Sequence, residues 1–498
     1  MFERLRNFFR KAGANVGVVE RLSKITDHPK IGANQLEYER IATALRYYRG
    51  TFPKVKFKNT YGVTKERDYT TLNMAEVSAH RLASILFNEE MTFEIADKEA
   101  NEYAQMFMKD NDFNKNFGRY LESGLALGGL AMRPYFDQAT GALKISWIQA
   151  PVFYPLRSNT ADVHEAAIAT VTRQTEGSKI IYYTLLEFHE WSGQDYTITN
   201  ELYQSERADE VGIKVSLKTL YEDLQPVTTF ADLSRPQFVY LKPAHFNNKD
   251  INSPLGLSIF DNAIPTLRSI NDATDQFNWE IKMGQRRVAV PESMTQVMLQ
   301  GDTQPRQIFD SNQNVYLMVE SGMNNDADMK DLTSEIRSQA YIDTINQKMK
   351  TLEMQLGLSS GTFTFDGQGV KTATEVVSEN SMTYQTRNSQ LTNIERAIQE
   401  LIVSAMEQAA AFGLYIGDIP SLEDITVNFD DGVFTDKAAQ ADYWSKLVAA
   451  GLASRKQAIM AVQGVDEKTA QKTLAEIDDT SEDVAVDVDP TEQPIADD

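Results

Sequence analysis

The stretch IFDNAIPTLRSINDATDQFNWEI, residues 259–281, places Ile259, Ala263, Leu267, Ile270, Ala273, Phe277 and Ile281 at steps of four, four, three, three, four and four. That spacing draws one apolar stripe along a helix. A second stripe, Tyr341, Ile345, Met349, Leu352 and Leu356, follows an insert from about Val288 to Asp331. Pro291 ends any helix between the two, and inside the insert VYLMVE (315–320) reads as a strand and NNDADMKD (324–331) as a loop. Two helices therefore bracket a small α/β excursion.

Toward the carboxyl end, GLSSGTFTFDGQGVKT (357–372) has no period and is rich in Gly, Ser and Thr, which predicts a flexible loop. Ala373 to Phe412 then runs without Gly or Pro, a helix of about 60 Å at 1.5 Å per residue. Its first half, TEVVSENSMTYQTRNSQ, is polar and must face water or polar partners, whereas Leu391, Ile394, Ile398, Leu401, Ala405 and Ala409 form a stripe in the second. ITVNFDDGVF (425–434) predicts a strand and turn, and DKAAQADYWSKLVAAGL, SRKQAIMAV and DEKTAQKTLAEI predict short helices. From Asp478 onward nine acidic residues and no Lys or Arg predict a disordered, solvated tail over 478–498.

Toward the amino end, helices are predicted from Gln35 to Tyr48 and from about Asn73 to Asn88, with FPKVKFKNTYG between them as a loop containing a short extended piece. Glu99 to Gly129 continues in helices broken by glycines. Between about Leu130 and Tyr240 the period changes to two: AMRPYFD, ALKISWIQ, EAAIATVTRQ, KIIYYTLLEFHEW and DYTITNELYQ predict strands, with SGQD (192–195) as a hairpin turn. The fold class is α+β.

A length of 498 residues corresponds to about three domains, and 42% hydrophobic with 24% charged residues is the balance of a folded protein. Forty-nine Lys and Arg against seventy-one Asp and Glu leave a net charge of −22, so any DNA contact must be local or fleeting. Zero cysteines exclude disulfides, thiolate nucleophiles, iron–sulfur clusters and cysteine zinc sites. No apolar run is long enough to span a membrane, and MFERLRNFFRK lacks the features of a signal peptide, so a cytosolic or particle-bound protein is expected. That opening segment alternates aromatic with basic residues and suits a short docking helix or a membrane-surface contact.

Chemistry is sparse. None of the five histidines forms a metal-ligand pair, and His189 in FHEW reads as a structural strand residue. DGQGVKT approaches a phosphate-binding loop, but Val370 stands where Gly must precede Lys371. Glu89 with Glu90 and Asp430 with Asp431 are neighbours in sequence, which suits solvated faces or turns. No G-x-S-x-G nucleophile elbow occurs. No enzyme activity, metal or cofactor is expected.

The element order, a helical base, a β-rich excursion, a long helix, an insert, a return helix, a loop, a very long helix and a helical cap, resembles that of the portal proteins of tailed bacteriophages. TLNMAEVSAHRLASILFNEE (71–90), YLESGLALGGLAMRPY (120–135) and FDGQGVKTATEVVSENSMTYQTRN (365–388) are similar to segments of the portal family of siphophages of Gram-positive hosts, sometimes labelled minor capsid proteins. The resemblance implies a wing at 1–255, a stem helix at 256–287, a clip at 288–333, a stem return helix at 334–356, a tunnel loop at 357–372, a long wing and channel helix at 373–412 and a crown at 413–477. It further implies a ring homo-oligomer, usually of twelve subunits, at one capsid vertex, assembled in the host cytoplasm. Double-stranded DNA would pass through its channel in packaging and ejection. Large terminase, a head–tail adaptor, and major capsid and scaffold proteins would be its partners, with no membrane.

Laid on this sequence, the tunnel loop would contribute Ser359, Ser360, Thr362, Thr364, Gly367, Gln368, Gly369 and Lys371 to the channel. Basic channel candidates are Lys282, Arg286, Arg287, Lys348 and Lys350, each of which equally suits a solvated helix face or an intersubunit ion pair. The rival readings are a nucleotide hydrolase using DGQGVKT and a capsid scaffold that does not contact DNA.

Overall fold

The computed structural model describes residues 21–58, 62–87, 91–159, 161–284, 288–289, 296–298, 306–308, 330–331, 335–363, 381–429, 437–463, 470–475 and 477. The chain divides into two compact units, 1–368 with 385–428, and 369–384 with 429–498. Helices and strands are mixed throughout the first.

Four helices open the first unit. α1 (Gln35–Tyr48) starts where the Asn34 side chain accepts the Leu36 amide, and α3 (Lys98–Asp110) where Asp97 accepts that of Ala100; each cap satisfies an amide that the helix itself leaves unpaired. α2 (Met74–Leu86) and α4 (Phe113–Leu127) bury Leu82, Leu86, Phe113, Phe117, Leu121 and Leu125. The segment read as a loop with an extended piece is a hairpin, β2 (Val55–Lys58) paired with β3 (Thr64–Arg67). β4 (Met91–Ile95), whose alternate residues are buried, pairs with β14 (Ile425–Phe429) far along the chain.

The five period-two segments fold as read: β5 (Leu130–Asp137), β6 (Ala142–Gln149), β8 (Val163–Glu176), β9 (Lys179–Ser192) and β10 (Asp195–Ser205). With β1 (Arg21–Leu22), β7 (Phe153–Ser158) and β11 (Gly212–Val215), the last three build a sheet in the order β1-β11-β10-β9-β8-β7, and β12 (Val227–Phe230) pairs with the first half of β10. All its pairs are antiparallel. Ser192 faces Asp195 across the SGQD turn, and Gly193 takes the positive φ of 70° that such a two-residue turn requires. β9 is buried on both faces: Leu186 and Phe188 join a core with Tyr154 and Tyr203, whereas Tyr183 and Leu185 join another with Leu202 and Leu217. β5 lies between β6 and β13 (Val239–Leu241), and Pro134 sits past the end of β13, where its missing N–H breaks no ladder bond.

Two glycines bring the chain to the stripe that opened the sequence reading. A Cβ on Gly128, φ 87°, would stand 2.6 Å from the Gly256 carbonyl oxygen. The Ile259 amide then donates to Leu125 O at 3.0 Å. Beside it, Arg40 of α1 donates to Asp261 at 2.5 Å and to Glu37 at 3.0 Å, and Asn247 also donates to Glu37, so two buried carboxylates share one half-buried guanidinium. Burial pushes the Asp261 carboxyl up, against the pull of Arg40.

α5 (Ile264–Met283) and α6 (Ser338–Gln355) follow. α7 (Ser381–Ala411) is described for 31 residues, about 46 Å; positions 373–380 lie outside the described residues. Residues 401–409 of α7 are buried without exception. In the second unit, α8 (Lys437–Ala449) ends at Gly451, φ 70°, and α9 (Arg455–Gln463) begins at a reciprocal cap in which Ser454 and Gln457 bond each other's amides. The predicted strand at 315–320 and the acidic tail from Asp478 lie outside the described residues.

Candidate functional site

α5 and α6 form an antiparallel pair. Phe277 stacks on Tyr341 with ring centroids 5.1 Å apart. One turn on, both Glu280 oxygens are engaged: Arg337 donates through Nη2 at 2.7 Å, Nε at 3.2 Å and its backbone N–H at 3.0 Å, and Tyr341 Oη donates at 2.9 Å. The hydrogen bonds from Arg337 are the first cause that pulls the Glu280 carboxyl down to about 2.

The predicted stripes are covered unevenly. Leu267, Ile270, Leu352 and Leu356 are buried, Ala273, Phe277, Tyr341, Ile345 and Met349 are half-buried, and Ile281 is exposed; Ile259 precedes the helix. Met283, Ile336, Ile342 and Met354 are likewise exposed on the pair. The apolar surface is thus closed at Leu267, Ile270, Leu352 and Leu356 and open at Ile281, Ile342 and Met354.

The opposite edge of α5 overturns an assumption of the periodic reading. Asn271, Thr274 and Asp275 are buried polar residues there. Arg67 at the end of β3 donates both terminal nitrogens to Asp275, at 2.5 and 2.6 Å, and the Thr70 amide donates to the same carboxylate at 3.0 Å. Tyr69 bonds Asp272 and Thr71 bonds Asn271. The Arg67 guanidinium also lies 4.7 Å from the Trp279 ring, which Phe57 meets edge-on. Hydrogen bonds from Arg67 hold the Asp275 carboxyl below its ordinary range. The β2–β3 hairpin is therefore clamped to α5 by a bidentate pair that no spacing rule exposes.

The segment read as a flexible loop begins as an ordered turn. Gly357, φ 69°, follows α6; its amide bonds Met354 O, and the Leu358 amide bonds Glu353 O at 2.8 Å, which together satisfy two carbonyls at the helix end. The buried Glu353 carboxylate then accepts the Gly361 amide at 3.1 Å and the Phe363 amide at 2.6 Å. Hydrogen bonds to a carboxylate, rather than an apolar period, shape the turn at 357–363. Ser359 is buried, Ser360 exposed, and Thr362 half-buried with its hydroxyl on Ser359 O. Thr364, Gly367, Gln368, Gly369 and Lys371 lie outside the described residues, as do Arg286 and Arg287. Lys282 is exposed near the end of α5, and Lys348 and Lys350 are half-buried on α6.

The polar half of α7 meets polar partners. Arg387 Nε donates to Ile85 O at 3.2 Å, and Gln390 accepts the Ala244 amide at 3.0 Å, both from buried positions. His189 is fully buried beside Tyr196 Oη, and burial pushes its pKa well down, as a structural strand histidine requires. Among the described residues no three His, Asp or Glu side chains gather to hold a metal, and no helix is long and apolar enough to cross a membrane.

A family model described as "Phage portal protein, SPP1 Gp6-like" matches residues 27–483. The chain belongs to that portal family. The match carries the portal assignment and not a Gram-positive host. No curated protein sequence matches this portal protein. It is similar in fold to a chain in the "Virion of native gene transfer agent (GTA) particle", with TM-score 0.45 and 10% identity over 91% of this chain and 98% of the other. A chain in the "Neck of empty GTA particle computed with C6 symmetry" gives 0.46 and 11%, over 91% and 97%. One in the "Neck of native GTA particle computed with C12 symmetry" gives 0.44 and 11%, over 84% and 98%.

Proposed function

We propose that this portal protein assembles into a closed ring, of twelve copies as is usual for the family, at one vertex of a virion. The ring is a passive conduit through which double-stranded DNA enters during packaging and leaves on ejection. In this reading 1–255 is the wing, α5 and α6 are the two stem helices, 288–333 is the clip that meets terminase and then the head–tail adaptor, and 413–477 is the crown. Capsid and scaffold proteins contact the outside of the ring. Tunnel-loop residues from Ser360 onward and the basic side chains Lys282, Arg286, Arg287, Lys348, Lys350 and Lys371 face the lumen.

The observation that carries this reading beyond family membership is the uneven cover of the α5–α6 pair. A single chain leaves Ile281, Met283, Ile336, Ile342 and Met354 in water. Subunits set side by side around an axis would cover such a face repeatedly. The net charge of −22 suits a conduit as well, since a wall of cations would trap a polyanion that must slide in both directions.

Negative-stain electron microscopy of the full-length chain with rotational classification tests the reading. Isolated rings with a hole wide enough for a duplex are expected. Monomers across a range of concentration and salt would remove it, and sheets or shells would transfer it to a capsid-lattice role.

A further inference from the structure

Residues 46–67, RYYRGTFPKVKFKNTYGVTKER, hold seven cations and one acid, Glu66, within a chain of net charge −22. Five aromatic rings are interleaved with them. The structure sorts four of these cations into two groups. Arg67 is spent inward, on Asp275 and Trp279, and so fixes the hairpin to α5. Val55 and Phe57 turn inward with it and are half-buried. Lys54, Lys56 and Lys58 alternate to the other side, about 6.6 Å apart along the chain.

On that outer face three lysines stand against two acids, Glu66 and Asp68. Lys54 and Lys56 meet Asp68 and Glu66 only at 3.6 Å, with lysine side chains 63% and 72% exposed, and ion pairs so solvated are weak. Lys58 makes no ion pair among the described residues. The outward positions, Lys54, Lys56, Lys58, Thr64 and Glu66, hold no apolar side chain such as a membrane surface or the centre of a protein interface uses. Lysine supplies a rotatable point charge without the planar fork that reads a particular partner. A rigid two-stranded ribbon with three such charges in line is chemistry for a regular polyanion.

We propose that the outer face of the β2–β3 hairpin is a sequence-independent contact for the phosphates of double-stranded DNA. The inference rests on the conduit reading and adds to it a second contact, on an element separate from the lumen candidates of α5 and α6. Because the clamp runs through Arg67 and Asp275, the lysines can be neutralised without loosening the hairpin.

The test is fluorescence anisotropy of a labelled duplex with the full-length protein across a salt series. It compares wild type, the triple variant Lys54→Gln, Lys56→Gln, Lys58→Gln, and the lumen triple Lys282→Gln, Lys348→Gln, Lys350→Gln. The hairpin triple should bind at least about ten-fold more weakly at low salt. Its log affinity against log salt slope should be smaller by about one per lysine lost, two to three in all. Its oligomeric state by electron microscopy should match wild type. An unchanged slope, or wild type that binds no duplex, overturns the inference. So does a hairpin triple that loses its rings, since the lysines would then serve an intersubunit contact, or one that loses only binding to anionic vesicles or polyglutamate. Wild-type rings with hairpin-independent DNA binding sink this proposal alone, whereas wild-type monomers sink the conduit reading.

Discussion

Glu353→Gln isolates the element that orders the chain after α6. The buried carboxylate receives two backbone amides, Gly361 at 3.1 Å and Phe363 at 2.6 Å. The carboxamide keeps the size and offers one carbonyl oxygen, so at least one amide is left facing an NH₂ group. Hydrogen bonds to a charged acceptor contribute about 1.5–3 kcal/mol, and an orphaned buried donor costs a similar amount. A local loss of about 2–3 kcal/mol is expected. At about 1.4 kcal/mol per factor of ten, that opens 357–363 roughly 30- to 150-fold more often. Hydrogen exchange read by mass spectrometry on a peptide spanning 357–363 measures it directly, with buried α7 peptides as the unchanged reference. If that peptide exchanges within about three-fold of wild type while the reference holds, the carboxylate does not order the turn, and the reasoning fails.

The clamp on α5 is tested by a double-mutant cycle. Arg67→Ala and Asp275→Ala should each lower stability, and the pair should couple by about 1–3 kcal/mol in denaturant unfolding; strictly additive losses would show that the bidentate geometry contributes nothing. Glu201 gives a pH test. Burial pushes its carboxyl up, but hydrogen bonds from His28, Lys214 and Tyr203 outweigh it and bring it down to about 2. A folded value below the unfolded one contributes stability above about pH 4.5, and that contribution is lost as pH falls toward 2. Glu201→Gln should therefore cost about 1–3 kcal/mol at pH 7 and almost nothing at pH 2, read from unfolding curves at both values. Equal losses at the two pH values would contradict this assignment.

The parts of the fold that were legible are those whose order is local. β9 and β10 could be read because alternation runs unbroken through each strand and the turn between them is two residues long. α1 begins and ends where its periodicity does. β4 is not legible although Met91, Phe93 and Ile95 alternate, since five residues are few and its partner β14 lies more than three hundred positions away. α5 was half-read for a different reason. Periodicity assigns polar residues to water, whereas Asn271 and Asp275 are buried against a segment two hundred residues upstream that satisfies both, and Thr274 returns its hydroxyl to Ile270 O in the helix itself. The second half of α7 reads as one apolar stripe, whereas the chain wraps residues 401–409 on every side. At the candidate site, the turn after α6 reads as a free loop because a carboxylate and two carbonyls hold it, and neither leaves a mark in hydropathy. The lysines of the β2–β3 hairpin were plain in the sequence, but their separation from Arg67 into an outer and an anchoring set needed the register of the two strands.

The contact between Gly128 and Gly256 has a mechanical meaning. Side chains between two elements act as springs, because rotamers change before backbones move. Where one peptide backbone rests on another there is no such compliance. The segment that leads into α5 rests in this way directly on the segment that leads into β5. Replacing either glycine by a residue with a side chain would not soften that joint; it would force it apart. At this crossing the two strands of backbone meet through a pair of residues with nothing to bend.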